Sequence, residues 1–79
     1  MEIELFGVLR EAAGDRVLTL DLEPPMVIGD VLEALTTARP ALDPHLPRVA
    51  CAVGDEMRSR TDHIQPGETL VLLPPVSGG

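Results

Sequence analysis

One long segment of the chain, Ile28 to Ala38, carries a helical repeat, and this fixes the kind of fold open to it. Ile28, Val31, Leu32, Leu35 and Ala38 recur at three- and four-residue spacing and line one side of a helix. Asp30 and Glu33 lie in its first turns, where acidic groups favour the helix dipole. Arg39 follows the last apolar residue and Pro40 ends the helix. The expected Ser, Thr or Asp at the N-cap is missing, because Val27 stands there. One apolar stripe needs one apolar surface to cover, and the rest of the chain supplies it in segments that read as strands.

Ile3 to Val8 alternates as a strand, with Ile3 and Leu5 on one face and Glu2, Glu4 and Phe6 on the other. Leu9 to Gly14 reads as a short helical turn closed by glycine. Arg16 to Leu22 alternates strictly, with Leu18, Leu20 and Leu22 inward; Gly14-Asp15 suits the turn before it. Glu23-Pro24-Pro25 ends that strand. Residues 40–48 hold Pro40, Pro44 and Pro47 and read as an ordered loop. Val49 to Val53 is a short apolar strand buried on both faces, Gly54-Asp55 a turn, and Glu56-Met57-Arg58 a short returning strand. After the turn dipeptide Pro66-Gly67, Glu68 to Leu73 forms the last strand. Leu70 and Leu72 point one way; Thr69, Val71 and Leu73 point the other.

A sequence of 79 residues makes one domain. At 44% hydrophobic it has enough apolar residues for a core, and with Phe6 its only aromatic, that core is aliphatic. The order strand, strand, helix, strand, short strand, strand implies an α+β domain with one main helix on a mixed sheet of four to five strands. The long crossover lets the first and last strands sit centrally and parallel. This is the ubiquitin-like β-grasp arrangement, expected over residues 1–73, with residues 74–79 as a flexible, extended C-terminal Gly-Gly tail.

The formal charge of −7 disfavours nucleic acid and anionic membranes and favours a basic protein partner. No apolar run approaches a membrane span. The acidic start Met1-Glu2-Ile3-Glu4 is unlike a signal peptide, and the single cysteine, Cys51, excludes an internal disulfide and a zinc–cysteine cluster. A cytoplasmic location is the expectation.

The ending Leu73-Pro74-Pro75-Val76-Ser77-Gly78-Gly79 resembles the tail of the molybdopterin synthase small-subunit family, MoaD. So do the Leu9-Arg10-Glu11 run ending at Gly14, the helix start Gly29-Asp30-Val31-Leu32, Ala52-Val53, and Pro66-Gly67-Glu68. The helix and strand pattern is shared with the wider β-grasp sulfur carriers, ThiS of thiazole synthesis among them. Two positions depart from the family's pattern: Gly54 stands where Asn is frequent, and Val27 where Thr is frequent.

The resemblance implies a sulfur-carrying subunit that is not itself catalytic and works only with a large subunit, MoaE-like. An ATP-dependent, ubiquitin-activating-like enzyme, MoeB-like, adenylates the Gly79 carboxylate, and a sulfur donor protein converts it to a thiocarboxylate. The tail, Pro74, Pro75, Val76, Ser77 and Gly78, threads into the large subunit, and sulfur passes to cyclic pyranopterin monophosphate in molybdenum cofactor biosynthesis. The chain itself binds no cofactor or metal; ATP belongs to the activating enzyme. The same chemistry serves sulfur carriers for thiazole, cysteine or tRNA thiolation, and protein modifiers joined to lysines. An interaction module with an inert tail is the alternative of another class.

The residue types suit that chemistry. A terminal glycine offers least hindrance to attack at its carboxyl. Gly78 frees the backbone to pass a narrow channel, and Pro74 and Pro75 hold the tail's root extended. Six residues reach roughly 20 Å. By strand parity Phe6 and Leu73, joined by Met57, form an apolar partner-binding patch on the face away from the helix. Cys51 reads as an inert buried thiol. His45 and His63 lack ligand spacing, and Arg58-Ser59-Arg60 reads as a solvated hairpin edge.

Overall fold

The computed structural model describes residues 1–75. Its elements are β1 (Glu2–Leu5), α1 (Val8–Ala13), β2 (Val17–Thr19), β3 (Met26–Val27), α2 (Ile28–Ala38), β4 (Ala50–Val53), β5 (Glu56–Arg58), β6 (His63–Ile64) and β7 (Leu70–Leu73). Five strands form the main sheet in the order β2-β1-β7-β4-β5. β1 and β7 run parallel, Ile3 opposite Leu70 and Leu5 opposite Leu72; the other pairs are antiparallel. This is the β-grasp expected from the element order, with the last strand at the centre of the sheet.

Alternation puts Ile3, Leu5, Leu18, Leu70, Leu72 and Cys51 on one face, where they meet Ile28, Val31, Leu32 and Leu35 of α2 in a single aliphatic core. Among the described residues no polar or charged side chain is buried. Helix α2 spans the residues that its stripe predicts. Its missing N-cap side chain is replaced by tertiary structure: the Ile28 and Gly29 amides donate to the carbonyls of Asp62 and Arg60, each at 2.9 Å. The guanidinium of Arg60 in turn donates to the Leu46 carbonyl.

Several expectations need correction. The first strand stops at Leu5 instead of Val8, because Gly7 turns the chain at φ +57°, and Pro74, which follows β7, has no amide to continue the ladder beyond Leu73. The second strand ends at Thr19; Leu20 and Leu22 continue the alternation and are half-buried against the core, but lie beyond the paired residues. Residues 40–48 are not plain loop. They form two 3₁₀ turns, Pro40–Leu42 and Leu46–Arg48, which bury Leu42 and Leu46 and lengthen the core past the helix. A second, two-stranded sheet pairs β3 with β6, Met26 opposite Ile64. Arg58 is not a solvated edge: it is held between Glu56 (2.9 Å) and Glu68 (3.7 Å).

Candidate functional site

The tail leaves the domain from the centre of its sheet. Pro74 directly follows β7, is half-buried, and lies over Gly7 in the β1–α1 turn. A methyl group placed on Gly7 would meet Pro74 Cγ at 3.0 Å. Gly7 also adopts φ +57°, ψ −132°, a conformation open in practice to glycine alone. Pro75 is exposed. Around the two prolines an open cleft is lined by Val8, Pro44, His45, Pro47 and Arg48. The root of the tail thus borders a proline-rich cleft whose lining includes a guanidinium and an imidazole. Sequence reasoning missed Gly7 and this cleft; the available signal was a glycine close after a strand.

Gly7→Ala adds both the steric clash and the φ penalty. We expect a loss of about 1–3 kcal/mol, read as a lower midpoint in urea unfolding. Gly14→Ala is a useful contrast, since Gly14 also has positive φ (+83°) but open space around it. An equal loss at both positions would show that the Pro74 contact contributes nothing.

The structure places Phe6, Met57 and Leu73 on the sheet face away from α2. Phe6 is 42% and Met57 61% exposed, whereas Leu73 is half-buried. In register, Leu73 lies opposite Ala50, and Ala52 lies between Val71 and Met57. Phe6 follows β1 at the level of Leu73. Ala52 is buried yet lies outside the core cluster, because these outer-face neighbours cover it. Val17 extends the apolar strip, and Glu2 and Glu4 give it an acidic side. Val76, Ser77, Gly78 and Gly79 lie outside the described residues, as does the flexibility expected of them.

Cys51 is 4% exposed and faces the core. Burial pushes its thiol above the ordinary 9.0, with the Arg60 charge opposing in part. The folded state therefore holds the proton longer than the unfolded chain, and this thiol's stabilising contribution is complete below pH 9.0 and is lost as the pH rises beyond it. The thiol is expected to resist alkylation in buffer and react fully in denaturant; equal rates would contradict the burial argument. His45 and His63 sit apart, and no group of three candidate metal ligands occurs among the described residues. No helix is long and apolar enough to cross a membrane.

Comparison with known proteins agrees with this geometry over its full length. The family model described as the ThiS family matches residues 3–79. Small archaeal modifier protein 1 of Haloferax volcanii is 33% identical over 87 residues, with all of both chains covered. The crystal structure of SAMP1 from Haloferax volcanii superposes with a TM-score of 0.85 at 32% identity, covering 99% of this chain and 97% of that one. A putative molybdopterin converting factor, subunit 1, from Pyrococcus furiosus reaches a TM-score of 0.81 over 95% of each chain at 18% identity, a likeness of fold alone.

Proposed function

The chain belongs to the ThiS family, and from that membership we propose that it is a ubiquitin-like acyl carrier whose working group is the carboxylate of Gly79. The observation that carries the reading is the root of the tail: Pro74 directly follows the central strand β7 and packs on Gly7, and the sequence then runs six residues, counted from Pro74, to a Gly-Gly end. In this reading the carboxylate attacks the α-phosphate of ATP on an adenylating enzyme and pyrophosphate leaves. A sulfur nucleophile then attacks the acyl adenylate and AMP leaves, giving the thiocarboxylate. The adenylate and the sulfur donor are held by other proteins, so the chain needs no general base of its own.

Two fates of the activated tail fit. In one, it is the small subunit of molybdopterin synthase, inserts its tail into the large subunit and gives sulfur to cyclic pyranopterin monophosphate; the Pro-Pro-Val-Ser-Gly-Gly ending supports this. In the other, it is joined through Gly79 to lysines of proteins; the 33% identity to a small archaeal modifier protein supports this at least as strongly. Intact mass after incubation with an adenylating enzyme, ATP and a sulfide source tests the shared step. The expected gain is that of one oxygen replaced by sulfur, and no gain beside a working control carrier refutes it. The large subunit plus pterin then tests the first fate, and a lysine-bearing protein the second.

The outer sheet face is the proposed docking surface. Its Phe6, Val71, Leu73 and Met57 centre, flanked by Glu2 and Glu4, suits a partner with an apolar patch and a basic rim. Phe6→Asp is expected to weaken binding to the large subunit by about tenfold or more, about 1.4 kcal/mol. Because Phe6 is exposed, stability should change by no more than about 0.5 kcal/mol. Unchanged affinity would remove this face from the interface.

A further inference from the structure

The six Lys+Arg residues of the sequence are Arg10, Arg16, Arg39, Arg48, Arg58 and Arg60, so residues 1–79 contain no lysine. We propose that the chain is an acyl donor only: once Gly79 is activated, no group on another copy of the chain accepts it as an amide, and no conjugate joins one copy to another through an amide. This rests on the reading of Gly79 as an activated carboxylate.

A lysine amine has a pKa of about 10.4, so roughly one in a few thousand is free at neutral pH, and a free amine attacks an activated carboxyl to form a stable amide. A guanidinium stays protonated and has no lone pair to offer. Arginine therefore supplies positive charge without an acceptor. Arg39 meets Asp15 at 3.6 Å, and Arg58 lies between Glu56 and Glu68. Arg60 donates to the Leu46 carbonyl. Arg10, Arg16 and Arg48 are exposed and form no ion pair among the described residues, positions where lysine would serve solubility equally well.

The two other strong nucleophiles are withdrawn by the fold. The Cys51 thiol is buried on the core face of β4. The Met1 amine donates to the Leu20 carbonyl at 2.8 Å, while the Leu20 amide donates back to the Met1 carbonyl at 2.9 Å. Met1 is also half-buried, so the Gly79 carbonyl of another copy is hindered from reaching this amine. Serine and threonine hydroxyls remain, but their esters are cleaved by hydroxylamine and amides are not. The amide-forming step is thus confined to amines of other molecules: the lysine nitrogen bonds to the Gly79 carbonyl carbon, the activating group departs, and the nitrogen loses a proton to solvent.

The test uses the full chain carrying a Gly79 thioester made by intein cleavage, so no activating enzyme enters. The chain is concentrated at mildly alkaline pH beside a lysine-containing peptide, quenched with hydroxylamine and weighed intact. The unaltered chain should yield the peptide amide and hydrolysed acid, with no two-copy amide. Arg10→Lys and Arg48→Lys, each an exposed position, should yield the two-copy amide. A two-copy amide from the unaltered chain overturns the proposal; so do lysine variants as inert toward themselves as the unaltered chain while the peptide is acylated. Activation of Gly79 is read separately, by ATP–pyrophosphate exchange on an adenylating enzyme, so a failure there refutes the carrier reading and leaves the thioester result standing.

Discussion

Removing Gly79 should abolish tail activation while leaving the melting temperature where it was. The prediction is stringent because the truncated chain still ends in a glycine carboxylate, on Gly78. The chemical group is unchanged and only its position shifts, by about 3.3–3.6 Å. A displacement of about 1 Å can cost a reaction a hundredfold when reactants must be held in near-attack geometry, so a whole residue should cost more than that. Residue count translates into distance because Pro74 directly follows β7 and packs on Gly7, which fixes where the tail begins. Stability should be untouched, because among the described residues every buried residue of the core lies between Ile3 and Leu72. ATP–pyrophosphate exchange, intact mass and thermal melting on one preparation decide the matter. Activity that survives truncation would mean that partners follow the glycine wherever it ends. Appending one further glycine should be as damaging as removing one.

Leu72→Ala should remove a large share of the domain's stability. Leu72 is fully buried on the central strand β7, opposite Leu5 of β1 on one side and Cys51 of β4 on the other. Cutting a buried leucine to alanine costs about 2–5 kcal/mol, because the lost transfer free energy is joined by the cavity left behind. A domain of this length has a total stability of roughly 4–12 kcal/mol. In a core with no aromatic to shift into the gap, little relaxation is available. The melting temperature should fall by more than about 10 °C. Met57→Ala, on the exposed outer face, should change stability by no more than about 0.5 kcal/mol. Similar losses at both positions would mean that the outer strip contributes to the core.

The readability of this chain followed the length of each pattern. Helix α2 has enough residues for its stripe to repeat, and a proline marks its end, so its limits could be read directly. β7 alternates over enough positions to separate Leu70 and Leu72 from Val71 and Leu73. β3 and β6 were not legible, because two residues cannot show a period. β2 is shorter than its alternation for the opposite reason: Leu20 still exchanges backbone hydrogen bonds with Met1, but Leu22 keeps the alternation with no residue of β1 opposite it. The α2 N-terminus looked uncapped from sequence because its acceptors, the carbonyls of Arg60 and Asp62, come from a distant turn.

By itself the sequence determined the composition of the core, which face of each long element meets it, the Gly-Gly end and the absence of lysine, because these depend on residue identity and local spacing. Tertiary structure alone decided that Gly7 lies beneath Pro74 and that Val8 and the segment from Pro44 to Arg48 line a cleft at the tail's root. Those residues lie far apart along the chain. Only the parallel pairing of β1 with β7, and the packing that follows from it, brings them together.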